Sequence, residues 1–314
     1  MNTEKAELFT PAPEWSGRSD GPGPEHARWH SVINQYTESP APVTLLGFAS
    51  DEGVLRNGGR QGAAAGPAAL RTALGSLAVH HGHALADAGT ITTQGDDLDG
   101  AHDALSDKVE ELVRSATLPI ILGGGHETAF GSHRGLFRAR GATPIINLDA
   151  HFDLRHADHA TSGTPFTQIS QLTDDFEYTV FGISRPNNTA VLFNDADKLG
   201  VNYTLDEELV NLTPAECGAL ATQATAAADK VHLSIDLDVL PASTAPGVSA
   251  PASLGVAYER IRALAVAIAA TGKLALVDVV ELNPTFDIDN RTAKAAARLI
   301  DDIVNAHLTA VSGQ

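Results

Sequence analysis

Asp149-Ala-His151-Phe-Asp153 places three ionisable groups on alternate positions, and Asp236-Leu-Asp238 repeats that spacing with two. In extended backbone, alternate side chains share a face, so each run converges on a point. His126 follows the glycine run 123–125, and Glu281 follows Val279-Val280. A single aspartate at the end of a strand usually forms a turn or caps a helix. Six such groups gathered at strand ends (His126, Asp149, His151, Asp153, Asp236 and Asp238) are a different matter. Burying them without compensation would be prohibitive, so they read as metal ligands. Oxygen-rich ligands with some imidazole and no thiolate suit Mn²⁺ or a similar divalent ion better than structural zinc. The one cysteine, Cys217, lies outside every motif. One divalent ion would leave four aspartates far in excess, whereas two bring the site close to neutral. Two ions about 3.5–4 Å apart would share a water and lower its pKa towards neutrality, which provides a hydroxide for hydrolysis.

The elements that must position these groups are short apolar runs alternating with helical segments. Strands are predicted at 43–48, 118–122, 144–148, 178–183, 231–235 and 273–280. Helices are predicted at 67–77, 126–139, 213–228, 256–270 and from 290 to about 308. Pro67 and Thr213-Pro214 sit where first-turn prolines and an N-cap belong. This alternation implies a parallel sheet covered on both faces, with ligands bound beyond the carboxyl ends of its strands. Residues 1–40 lack periodicity and are expected to form an N-terminal extension, lying on the surface or partly disordered. Residues 41–314 read as a single catalytic domain, without linker or repeat.

The net charge of -18, from 21 basic against 39 acidic residues, argues against nucleic acid and anionic membranes as partners. No run approaches the roughly 18 apolar residues of a membrane span, and the N-terminus has no apolar stretch resembling a signal peptide. A lone cysteine cannot form an internal disulfide. A soluble, cytoplasmic protein is expected.

In this order, Gly-Gly-Gly-His126, Asp149-x-His151-x-Asp153 and Ser234-Ile-Asp236-Leu-Asp238-Val-Leu240 resemble the metal signatures of the ureohydrolases, the arginase/agmatinase family. Ser243 to Pro251 looks like the segment that follows the third signature, and the likeness runs from about residue 43 to 308. It implies a single three-layer α/β/α domain with a mostly parallel sheet of about eight strands. It also implies two Mn²⁺ per subunit held by His126, Asp149, His151, Asp153, Asp236 and Asp238, with Asp149, Asp153 and Asp236 placed to bridge or share. Glu281 would orient the substrate's amidine, and the protein would be a homo-oligomer, trimeric or hexameric.

Within the family the chain is most similar to the formimidoylglutamases. This shows in Glu127 after His126, in Phe152 with Leu154-Arg155, in the run 161–166, in Gly182 to Arg185 followed by Asn187-Asn188-Thr189, and in Glu281-Leu-Asn-Pro284 leading to Asp289-Asn-Arg-Thr. That likeness implies hydrolysis of N-formimidoyl-L-glutamate, an intermediate of histidine breakdown, to L-glutamate and formamide by a hydroxide bridging two Mn²⁺ ions. The alternatives are another amidinohydrolase, acting on agmatine or a guanidino acid, and a non-catalytic family member. Arginases carry a proton-relaying histidine in a His-Gly-x-Pro run, where this chain has Ser162-Gly-Thr-Pro165. A dicarboxylate substrate favours arginine, whose fork matches a carboxylate. Arg155, directly after Asp153, is the first candidate contact. Arg185 with Asn187 and Asn188 comes next, and Arg60 lies in a glycine-rich loop (56–62) read as a flexible wall of the site. Glu127 reads either as the group that orients the His126 ring or as an exposed acid in a first helical turn.

Overall fold

The apolar runs become the middle of one ten-stranded sheet because both of its faces are covered. The computed structural model describes residues 8–37 and 41–313. Its strands are β1 (Phe9–Thr10), β2 (Ile33–Gln35), β3 (Val43–Ala49), β4 (Leu85–Thr92), β5 (Leu118–Leu122), β6 (Ile145–Leu148), β7 (Tyr178–Ile183), β8 (Asn202–Leu205), β9 (Val231–Asp236) and β10 (Leu274–Val280). They are ordered β1-β4-β3-β5-β10-β9-β6-β7-β8, and β2 also pairs with β4. Among the described residues, every pairing between these strands is parallel except β1 with β4.

Successive residues of a strand serve opposite layers. Leu45, Ile120 and Leu122 pack with Leu70 of helix Gly66–Gly75, Leu264 of helix Tyr258–Ala270 and Ile300 of helix Arg291–Ser312. Leu46, Phe48 and Ile121 pack instead with Leu105 and Leu112 of helix Leu98–Arg114 and Leu136 of helix Thr128–Arg140. This arrangement is the mostly parallel, helix-covered α/β sheet expected. Among the described residues, no helix is long and apolar enough to cross a membrane.

Eight strands come from residue 43 onward, and the N-terminal segment adds two. Within residues 8–37, part of a segment expected to lie on the surface or be partly disordered, two strands therefore join the sheet through β4. Trp29 is fully buried, and its indole N–H donates to Asp301 Oδ1 at 2.7 Å. Trp15 donates to Asp87 Oδ2 at 2.8 Å and stacks on Trp29. Two amphipathic indoles anchor the segment without any periodic pattern. The boundary expected after residue 40 adjoins residues 38–40, which lie outside the described residues. β4 escaped the sequence reading because Asp87 interrupts it. In the fold that carboxylate is buried against Arg71 at 2.8 Å, so it is not left as an uncompensated charge.

Candidate metal centre

β5, β10, β9 and β6 lie side by side, with Leu122, Val279, Ile235 and Leu148 in one row across them. Segments far apart in sequence therefore end together, and each carries one of the motif runs. The turn from β5 to His126 presses against the end of β3. A Cβ on Gly124 would stand 1.8 Å from the Ser50 carbonyl oxygen, and one on Gly123 would stand 2.6 Å from Val280 Cγ1. Those approaches explain the glycine run. The Gly125 N–H donates to Ser50 O at 3.0 Å, and the Glu281 N–H donates to Gly124 O at 2.8 Å. Asp153 (φ 49°) and Glu281 (φ 68°) hold left-handed backbone, uncommon for residues with a Cβ and often found at functional sites.

The six predicted side chains come together. His126 Nδ1 lies 2.9 Å from Asp153 Oδ2, 3.1 Å from Asp149 Oδ2 and 3.2 Å from Asp236 Oδ2. His126 Nε2 sits 3.0 Å from Ser234 Oγ, so Nδ1 is the atom presented to the carboxylates. His151 Nδ1 lies 3.1 Å from Asp238 Oδ2 and 3.5 Å from Asp149 Oδ1. Two sets result, each compact enough for one ion: His126, Asp149, Asp153 and Asp236; and Asp149, His151 and Asp238. Asp149 belongs to both. Its Oδ1 accepts the His151 N–H at 2.7 Å and its Oδ2 accepts from Asn147 Nδ2 at 2.9 Å. Asn147 in turn meets the Tyr178 hydroxyl, which donates to Phe152 O.

The electrostatics of this cluster call for added positive charge. Burial, with the charges of Asp238 and Asp149, pushes Asp236 well above the usual carboxylate range, and burial with Asp149 also raises Asp153. Burial opposes protonation of His126, yet Asp149, Asp153 and Asp236 outweigh it and hold its pKa well above the ordinary value. At His151 burial is likewise outweighed, by Asp238 and Asp149. The acids draw protons onto both imidazoles. His126 Nδ1 and Asp238 Oδ1 are buried without a well-formed hydrogen bond. A divalent cation would supply the missing charge while the imidazoles stay neutral, so these residues fit a metal of the Mn²⁺ class.

Over the cluster lies a cavity of about 330 Å³, lined in part by Asn57, Arg60, Arg155, Ser162, Asn187 and Glu281. Glu281 Oε1 accepts the His126 N–H at 2.9 Å, while Oε2 is buried with no partner. Burial first, then Glu127 and Asp238, raises the Glu281 carboxyl to about 8.

The arginine expectations divide. Arg155 lines the cavity and is exposed to it. Arg60 also lines it, but its guanidinium donates to the carbonyls of Ser249 and Val248 and lies 3.9 Å over the Phe286 ring. Arg185 departs from the expectation. It is not among the lining residues, and its exposed guanidinium meets Glu207 at 3.2 Å instead. The 56–62 loop is tied down rather than free: Asp51 Oδ2 accepts the Gly62 N–H at 2.7 Å, and Asn283 Nδ2 donates to the carbonyls of Arg60 and Gln61. Neither reading of Glu127 describes its place. It is fully buried, and its Oε1 accepts from Ser50 Oγ at 2.9 Å and the Gly53 N–H at 3.0 Å, while Ser234 takes the His126 ring.

Among the residues lining the cavity, His126 and His151 are the only histidines. His156 and His159 border a separate surface hollow. Asn57 and Ser249 also line the cavity; they lie in the 56–62 loop and the 243–251 segment that the sequence marks, but neither residue type singles itself out there. Sequence reasoning grouped Asn188 with Asn187, yet Asn188 has a structural task. Its Oδ1 accepts the Phe152 N–H, and its Nδ2 donates to Ala150 O and Ser184 O, bracing the ligand run 149–153.

Residues 41–305 match the family model described as Arginase family. The chain is 52% identical over 301 residues to the formimidoylglutamase of Corynebacterium efficiens, covering 94% of this chain and 96% of that protein. It is 47% identical over 311 residues to the formimidoylglutamase of Nocardia farcinica, covering 96% and 99%. Its fold matches the crystal structure of Trypanosoma cruzi formiminoglutamase with Mn²⁺, with a TM-score of 0.82 and 28% identity over 90% of this chain and 99% of that one. With the ligand runs in one cluster and the matched region spanning most of its length, the chain belongs to the arginase family.

Proposed function

We propose that this chain hydrolyses N-formimidoyl-L-glutamate to L-glutamate and formamide, in histidine degradation, at a centre of two Mn²⁺ ions. One observation carries the reading: the metal-fitting cluster opens into a cavity lined by a buried carboxyl, Glu281, and an exposed arginine, Arg155, which would suit an amidine and a carboxylate. Relatives named formimidoylglutamase, about half identical to this chain over nearly its whole length, support it. One ion would be held by His126, Asp149, Asp153 and Asp236 and the other by Asp149, His151 and Asp238. Bound there, the pair would lower the pKa of a shared water towards neutrality.

The chain's own residues supply orientation. Glu281 Oε1 is fixed by the His126 N–H; the positive charge of the bound ions and of an amidinium head would favour the ionised carboxylate over the acid that burial favours without them, leaving Oε2 to accept from an amidine N–H. Arg155 holds a substrate carboxylate as a charge-assisted pair, and Asn187 and Arg60 complete the wall. Water adds to the formimidoyl carbon, the bond from that carbon to the glutamate nitrogen breaks, and the nitrogen leaves with a proton. Agmatine would bring a cationic tail towards Arg155, so a dicarboxylate fits better. The reading includes a cytoplasmic homo-oligomer, trimeric or hexameric; light scattering on purified protein distinguishes these from a monomer.

The test is hydrolysis by Mn²⁺-loaded protein of N-formimidoyl-L-glutamate, agmatine, arginine and 4-guanidinobutyrate in parallel. Glutamate and formamide from the first alone are expected. Urea from any guanidino substrate would overturn the substrate assignment.

A further inference from the structure

Some glycines here are required by the backbone: Gly62 has φ 137° and Gly182 has φ 112°. Gly163 has no such need, since its φ is not positive. Its reason lies in its neighbours. A Cβ at Gly163 would stand 2.7 Å from Arg155 Cδ, 3.2 Å from Arg155 Nε and 3.2 Å from Asn57 Nδ2. All three are side-chain atoms of residues that line the cavity, which Gly163 itself does not reach. The stem of Arg155 therefore lies in the space a side chain at 163 would fill. The pairing is fixed on the backbone as well, because the Arg155 N–H donates to Gly163 O at 2.8 Å. Beside it, Ser162 is held by its N–H to Gly53 O at 3.0 Å and by Asn57 Nδ2 donating to its Oγ at 3.1 Å.

We propose that Gly163 is a positioning residue for substrate selection: the missing side chain forms a slot for the Arg155 stem and so sets where the guanidinium meets a substrate carboxylate. The inference rests on the reading above that Arg155 binds that carboxylate. A methyl group at 163 displaces an exposed, flexible side chain rather than backbone or core. The fold should tolerate it, with a thermal midpoint within about 2 °C of the parent. The guanidinium moves and its bond to the carboxylate lengthens.

Steady-state kinetics on the Mn²⁺-loaded full chain test this with N-formimidoyl-L-glutamate and the variants Gly163→Ala, Arg155→Met and the two combined. Calorimetric binding of L-glutamate runs in parallel and reads the same subsite without turnover. Gly163→Ala is expected to raise KM, and the Kd for glutamate, roughly tenfold, the scale of one weakened charged hydrogen bond, with a smaller change in kcat. In the Arg155→Met background the same substitution should change neither further, because the group it positions is gone. An equal effect in both backgrounds would show that Gly163 does not act through Arg155 and would overturn the inference. So would an unchanged KM and Kd in Gly163→Ala beside raised values in Arg155→Met, and that outcome leaves the carboxylate reading standing. Unchanged values in Arg155→Met would remove the carboxylate reading itself.

Discussion

Replacing Glu281 by glutamine tests the orientation of the substrate at little structural risk. The two side chains have the same shape, and the left-handed backbone at this position is held by the bond from the Glu281 N–H to Gly124 O, which glutamine keeps. The direction of the new amide is dictated by its neighbours. Oε1 faces the His126 N–H at 2.9 Å, so the amide oxygen must stay there and its NH2 must point where Oε2 now lies, buried and unpartnered. An acceptor for the amidine becomes a donor facing donors. Loss of a charge-assisted hydrogen bond contributes about 1.5–3 kcal/mol, and the opposed donors add to it. A total near 3 kcal/mol corresponds to roughly a hundredfold fall in kcat/KM. Metal content should not change, because Glu281 is in neither ligand set. The assay is kcat/KM on N-formimidoyl-L-glutamate beside the Mn content of the same sample. Activity within threefold of the parent, at equal metal, would refute the role of Glu281.

Chelation should lower the thermal midpoint, and added Mn²⁺ should restore it, since a ligand at a hundred times its Kd stabilises by about 2.7 kcal/mol; an identical melt before and after would contradict this. Arg185→Ala should leave KM within about twofold, because its exposed pair with Glu207 lies outside the cavity and surface pairs contribute little; a tenfold rise would return Arg185 to the site. Burial first, then Arg134, lowers His102 from 6.5 to about 3. The unfolded chain therefore takes up a proton below pH 6.5 that the native protein refuses, and stability falls at about 1.4 kcal/mol per pH unit as pH drops towards 3. Urea unfolding of the parent should lose about 1.6 kcal/mol more between pH 6.5 and pH 5 than that of His102→Phe, and equal losses would contradict the assignment.

The candidate ligand set is legible because its chemistry is written in adjacent residues. Alternating acids and imidazoles at the ends of apolar runs announce a metal before any fold is known, and the row formed by β5, β10, β9 and β6 then gathers them. Features set by partners distant in sequence were not legible. Asp87 made β4 look polar because Arg71, its neutralising partner, sits on a separate helix. Arg60 read as a candidate carboxylate contact in a flexible wall because the carbonyls that occupy it, at Val248 and Ser249, lie in a loop nearly two hundred residues away. Glu127 read as a ring-orienting group or an exposed acid because nothing local shows that Ser50 and Gly53 close over it. Trp15 and Trp29 anchor an aperiodic segment through single hydrogen bonds to Asp87 and Asp301, and single contacts leave no repeating signal.

The most direct test of the two-ion centre is a crystal of the Mn²⁺-loaded protein measured for anomalous scattering at the manganese edge. Two peaks within about 4 Å of each other, both touching Asp149, with His126 on one and His151 on the other, are the predicted result. A single peak, or two peaks that share no carboxylate, would contradict it.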